Sequence, residues 1–232
     1  MGLSPEEWEV VMLSLKVSGV AVGGCMPVAF ALAWLLARGR FPGRILLDAI
    51  VHLPLVLPPV VMGWLLLLSF GNNGIAGRWF AETLGLSFMF RWTGAALAAA
   101  IMALPLMVRA MRISIEAVDR RLEDAAQTLG ASPLQVFGTI TLPLALPGLV
   151  AGAVLGFARS LGEFGATITF VSNIPGETRT LPIAIYGALQ VPGGESAVTR
   201  LSIIAVALSI GALIASEILS RRSSQLRTGH VL

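Results

Sequence analysis

The chain has 232 residues, 56% hydrophobic and 12% charged, with a formal charge of +3 and a mean hydropathy of +0.83. A soluble domain carries about 25% charged residues, so this composition excludes an ordinary soluble enzyme and reads as one integral membrane domain spanning 1–232. The 25 glycines suit close helix packing in lipid.

The opening stretch MGLSPEEWE is acidic and lacks a small-residue cleavage site, so no cleavable signal peptide is expected. About 20 apolar residues cross the roughly 30 Å hydrocarbon layer as a helix. Runs of that kind place five spans near 13–37, 46–70, 92–111, 142–162 and 201–220. In the first, the single Cys25 excludes an intrachain disulfide framework and any multi-cysteine metal site, and reads as a small buried residue.

The second span, HLPLVLPPVVMGWLLLLSF, holds Pro54, Pro58 and Pro59, which remove three backbone donors and must break or kink it in its first half. A gate or pore-lining kink and a break repaired by neighbouring helices are both open readings. Asn72-Asn73-Gly74 marks an external turn. After the third span comes the most polar long interruption of the chain, a connection over about 112–141.

In the fourth span Gly148, Gly152, Gly156 and Ser160 recur every four residues, a stripe that reads as close packing. Arg159 and Glu163 stand four apart near its end and can pair if helical. They are either a neutralising pair at the membrane edge or a charge at the mouth of a pathway. The apolar piece from Phe164 to Val171 is about half the length of a span and is expected to be re-entrant or interfacial. A second turn, Pro192-Gly193-Gly194, precedes the last span, where Ala207, Gly211 and Ala215 repeat the small-residue spacing.

Arginine placement sets the orientation. Arg38, Arg40, Arg44, Arg109, Arg112, Arg120, Arg121, Arg221, Arg222 and Arg227 fall on one side of five spans. Arg78, Arg91, Arg179 and Arg200 fall on the other, with the acidic residues Glu6, Glu7 and Glu9. The N-terminus is therefore expected outside and the C-terminus in the cytoplasm. These arginines edge apolar runs and form no aromatic-interleaved patch, which argues against nucleic acid.

An energy source is missing. Lys16 is the only lysine and follows Leu15, so no P-loop, which needs Gly-Lys-Ser/Thr, is present. His52 and His230 are too far apart for a paired-histidine zinc motif. Carboxylates are scarce in the span centres, against a proton-coupled carrier or channel; Asp48 and Glu217 lie near span ends. No catalytic residue, metal site or bound cofactor is expected, and the energy must come from a partner.

The polar connection is built for one. Asp119 suits an N-cap, Leu122, Ala125, Ala126 and Leu129 share a helical face, and Gly130 suits the left-handed position after a helix end. Ser132 and Pro133 then open a second helix. A helix of about ten residues is marginal alone in water, so either the rest of the domain or another protein should cover its apolar face.

These residues resemble the permease subunits of bacterial ABC importers, marked by Glu-Ala-Ala, three residues, Gly, nine residues, Ile-x-Leu-Pro. The chain reads Asp124-Ala125-Ala126, Gly130, then Ile140-Thr141-Leu142-Pro143, with every spacing met. Asp124 replaces the glutamate and Glu123 precedes it, so either carboxylate is a candidate for the family's contact. FPGRILLDAIVHLPLVLPPVVMGWLLL, VDRRLEDAAQTLGASPLQVFGTITLPLALPG and ARSLGEFGATITFVSNIPGETRTLPIAIY look like the molybdate branch, although EFGA is shared with sulfate and tungstate carriers.

The resemblance implies an all-α, MetI-like permease of the bacterial inner membrane. Its pore lies at the interface of a homodimer. Two cytoplasmic ABC ATPase subunits, which bind the ATP and Mg, dock on the 119–130 helix, and an external molybdate-binding protein delivers the oxyanion. It places coupling at Glu123, Asp124, Ala125, Ala126, Leu129, Gly130, Ile140, Leu142 and Pro143. Arg159, Ser160, Glu163 and Thr167, with Pro54, Pro58 and Pro59, are candidates for the translocation path or gate, since a desolvated dianion needs polar lining.

Overall fold

The computed structural model describes residues 3–228 as a set of helices. The side chains of Glu217, Arg221, Arg222 and Arg227, and the whole of His230, lie outside the described residues.

Helix α1 runs Pro5–Arg38, starting well before the apolar run at 13, because Ser4 and Glu7 form a reciprocal capping box with Pro5 in the first turn. At 34 residues it is about 51 Å long, well beyond the hydrocarbon layer. Of its acidic start, Glu6 and Glu9 are exposed, whereas Glu7 is buried and pairs with Arg200 at 2.7 Å.

The second expected span is two helices, α2 (Arg44–Val56) and α3 (Pro59–Phe70), at 115° to each other. The Leu57 N–H closes α2 on Leu53 O at 3.0 Å, and Pro58 and Pro59 have no N–H with which to continue the ladder. Pro54 does not break the chain; it sits inside α2 and is buried. With 13 and 12 residues the two pieces are each about 20 Å or less, too short to cross alone.

A short helix α4 (Ile75–Leu84) follows the Asn72-Asn73-Gly74 turn, and its Phe80 meets Phe70 and Phe88 in edge or tilted contacts of 5.3 to 6.1 Å. Helix α5 (Trp92–Glu116) is the central column, and it runs five residues past the expected end at 111. Its alanines 95, 96, 98, 99 and 103 and its methionines 102, 107 and 111 are buried against its neighbours.

Helix α6 (Arg120–Thr128) leads through a turn to α7 (Pro133–Val136), a five-residue π-helical turn (Phe137–Thr141) and α8 (Leu142–Leu161). The glycine stripe of α8 is the seam with α5. A Cβ at Gly156 would lie 2.6 Å from Met107 Sδ, one at Gly152 3.1 Å from Met107 O, and one at Gly148 would overlap Ser114. The stripe of the last span differs: Ala207, Gly211 and Ala215 line an apolar groove with Gly19, Val22 and Ala153, and Gly211 faces open space.

Two short helices, α9 (Gly165–Val171) and α10 (Leu181–Leu189), precede α11 (Glu195–Thr228). Leu181 N–H donates to Ser14 Oγ at 2.7 Å, fastening α10 to α1. Cys25 faces Ala100, and Arg38 faces Ile115, so α1 and α5 run in the same direction. Ser160 faces Ala99 and Gly148 faces Ser114, so α8 runs opposite. Among the described residues, four helices have the length and composition of a span, or five spans if the bent pair is taken as one.

Candidate functional site

Two junctions gather the residues singled out in the sequence. The first lies at the Glu116 end of the bundle. Asp119 Oδ1 accepts from Arg121 N–H at 2.9 Å and opens α6. The helix closes in a Schellman arrangement: Gly130, at φ 90°, donates to Gln127 O and Ala131 N–H donates to Ala126 O, both at 3.0 Å. Ser132 and Gln135 then form a reciprocal capping box with Pro133 in the first turn.

No residue of α6 is buried. Leu122 is 51% exposed, Leu129 89% and Leu134, just past the turn, 79%, so the chain leaves this apolar face uncovered. Ala125 is exposed too, while Ala126, Ile140 and Leu142 are half-buried and Pro143, in the first turn of α8, is exposed.

The two neighbouring carboxylates part company. Glu123 Oε1 accepts from Arg38 Nη2 at 2.9 Å and from Thr141 Oγ1 at 2.6 Å, turned into the protein. Asp124 is exposed and has no ion pair among the described residues. Arg38 reads in the sequence only as a topology signal, and Thr141 only as the variable position of Ile-x-Leu-Pro; neither stands out without the fold.

The second junction lies where α8 ends inside the bundle. Although the helix stops at Leu161, Arg159 and Glu163 still pair, at 2.7 Å, with side chains 27% and 2% exposed. Glu163 Oε1 also accepts from Ala166 N–H at 2.8 Å. One carboxylate thus neutralises Arg159 and satisfies the first turn of α9.

That turn packs on the broken span. Gly165 faces the Pro59 ring, and Gly63 of α3 faces the backbone of Ala166 and the side chain of Thr169. Pro59 at the start of α3 therefore lies against the first turn of α9, which Glu163 caps and which carries Thr167, whereas Pro54 is buried inside α2, before the break. Ser160 and Thr167 are buried, and Ser160 Oγ reaches Ala99 O only at 3.5 Å. Of the polar groups expected along a path, Arg159 is the one partly open in this single chain.

Beyond α9 the NIPGETRTLP element folds on itself. Thr178 Oγ1 donates to Ser172 O at 2.9 Å and accepts from Ile174 N–H at 2.8 Å, and Arg179 Nε donates to Asn173 Oδ1 at 2.8 Å. Among the described residues no three His, Cys, Asp or Glu side chains converge to hold a metal ion.

A family model described as "Binding-protein-dependent transport system inner membrane component" matches residues 27–225. The molybdenum transport system permease protein ModB of Escherichia coli (strain K12) is 58% identical over 97% of this chain and 98% of its own length. That of Haemophilus influenzae is 54% identical over 97% and 99%. The sulfate transport system permease protein CysT of Escherichia coli (strain K12) is 37% identical over 96% and 79%. Among solved structures, the inward-facing MetNI methionine ABC transporter superposes with a TM-score of 0.73 at 18% identity, over 96% of this chain and 99% of the other. A bacterial alginate ABC transporter gives 0.73 at 19%, over 94% and 80%. At those identities the two structures share the fold.

Proposed function

The chain belongs to the family of binding-protein-dependent transport system inner membrane components, and from that premise we propose that two copies of it form the pore of an ATP-driven molybdate importer. As a permease component of an ABC importer it is a membrane subunit and not the hydrolytic one. The observation that carries the cargo is the greater likeness, over nearly the full length, to molybdenum permeases than to a sulfate permease.

In this reading a cytoplasmic ABC ATPase binds ATP and Mg and covers the α6 face of Leu122, Ala125 and Leu129, with Asp124 as the free carboxylate. An external binding protein brings molybdate to the Trp92 end, which puts the N-terminus outside and the C-terminus in the cytoplasm. The apolar residues that α2 leaves open, Ile45 at 87% and Val56 at 81% exposed, support a face for the second copy. The bent pair and the Arg159 junction border the path, where Pro58, Pro59 and Gly165 let α3 and α9 pass each other closely.

Vesicles holding this chain with its ATPase and the external binding protein test the reading. Molybdate uptake should require ATP and exceed sulfate uptake at equal concentrations. Sulfate uptake at the same rate would overturn the cargo assignment, and uptake without ATP would overturn the machine.

A further inference from the structure

We propose that Arg38 and Thr141 are positioning residues that hold Glu123 as a strut, passing displacement of α6 into the ends of three spans at once. This rests on the reading of α6 as the surface on which the ATPase docks.

Helix α6 is bound to the bundle at very few points. None of its residues is buried, and among the described residues only Glu123 makes side-chain hydrogen bonds from it to another helix. Both bonds converge on one oxygen. Arg38, the last residue of α1, donates at 2.9 Å, and its Nη2 also reaches Ile115 O in the last turn of α5 at 3.4 Å. Thr141, 1% exposed, closes the π turn that feeds α8 and donates at 2.6 Å. The end of α1 and the turn that feeds α8 therefore meet on a single carboxylate, and the end of α5 joins them through Arg38.

The same end of α1 grips the π turn a second time. Phe137 meets Trp34 edge-on at 5.2 Å and Phe30 at 6.2 Å. A π segment is a local departure from the α ladder that recurs at functional places, and here it sits between the docking helix and the span that carries Arg159 in its last turn.

Burial distinguishes this pair from an ordinary surface one. The side chains of Arg38 and Glu123 are 14% and 16% exposed, so losing one partner leaves the other charge largely desolvated. The guanidinium also has a donor in reserve: Arg38 Nε is buried and without a hydrogen-bond partner. A carboxylate shifted along the fork can be bonded again, the bidentate geometry that arginine allows and lysine does not. Contact can thus persist through a displacement, as transmission between two arrangements requires.

The test uses the assembled transporter in vesicles, with molybdate uptake and ATP hydrolysis measured on one preparation. Arg38→Ala, Glu123→Gln and the milder Thr141→Val should still assemble with the ATPase, yet molybdate moved per ATP should fall at least about fivefold, the lower end of typical coupling energies. The exchange Arg38→Glu with Glu123→Arg should restore part of that ratio, since the ion pair returns while the bond to Ile115 O does not, and Arg38→Lys alone should lose less than Arg38→Ala. An unchanged ratio in the single variants overturns the strut. So does a loss of assembly that accounts for all lost uptake without recovery in the exchange. Leu129→Asp in the same assay separates the two levels: if it uncouples while the strut variants do not, only the strut fails. If it too is silent, the docking role of α6 fails.

Discussion

A Cβ built on Gly165 would lie 2.7 Å from the Cβ of Pro59, so α9 and α3 meet through a glycine and a proline ring. Contacts that close are not tolerated by real side chains, and Pro59, the first residue of α3, cannot swing away. Gly165→Val should therefore separate the two short helices or strain them, at about 1–3 kcal/mol for an overpacked site. Uptake should fall several-fold while the protein still reaches the membrane. Membrane content and molybdate uptake, measured together, check this; normal uptake would show that α3 and α9 need not stay in contact.

The Arg159–Glu163 pair has one buried partner and one partly open one. Removing Glu163 strips Arg159 of its counterion and Ala166 N–H of its acceptor. Glu163→Ala should cost more stability than Glu163→Gln, which keeps an acceptor for Ala166. Breaking a buried pair costs about 3–5 kcal/mol; the exposure of Arg159 puts this one towards the lower end or below it. Thermal loss of the monodisperse peak in detergent gives the order of the two variants. Arg159→Ala should lower uptake more than it lowers assembly, and an equal loss of both would assign the pair to structure alone.

Much of this was legible in the chain because local rules act within a few residues. Asp119, Gly130, Ser132 and Pro133 bound α6 and its turn by capping and left-handed geometry, and Pro58-Pro59 marked the break of the second span. The spacing from Asp124 to Pro143 identified the permease family that the comparisons show. Three things were hidden for physical reasons. The burial of Glu7 in the first turn of α1 needs Arg200, nearly two hundred residues away, as its counterion. The size of the turn between α2 and α3, 115°, and the close packing of α3 on α9 through Gly63 and Gly165 are tertiary, where proline alone says only that the ladder stops. The inward turn of Glu123 needs Arg38 and Thr141, which no periodicity connects.

The seam between α5 and α8 offers a folding control distinct from the transport variants. Met107 stands against both Gly152 and Gly156, and a Cβ at Gly156 would meet its Sδ at 2.6 Å. Because that atom belongs to a flexible side chain, Gly156→Ala should be absorbed at a cost of about 1 kcal/mol, whereas Gly156→Ile overfills the seam. The isoleucine variant should reduce the amount of folded protein recovered from membranes, with uptake falling in proportion to it. Reduced uptake at full protein content would instead place this seam among the moving parts.

The exposed face of α6 carries the most direct prediction. Leu129 is 89% exposed at the end of a helix with no buried residue, so Leu129→Asp removes no internal contact and should leave the spans and the fold intact. Gly130 holds φ at 90°, where a side chain costs about 1–2 kcal/mol and proline, fixed near −65°, cannot be placed at all. Gly130→Pro should therefore unwind the turn between α6 and α7 while leaving the membrane helices inserted. Both variants should lose ATP-dependent uptake, Leu129→Asp by weaker retention of the ATPase on washing and Gly130→Pro with the ATPase still able to hydrolyse ATP. Co-purification of the ATPase, followed by uptake in vesicles, separates the two effects. Full uptake by either variant would mean that the face is covered by something other than the motor.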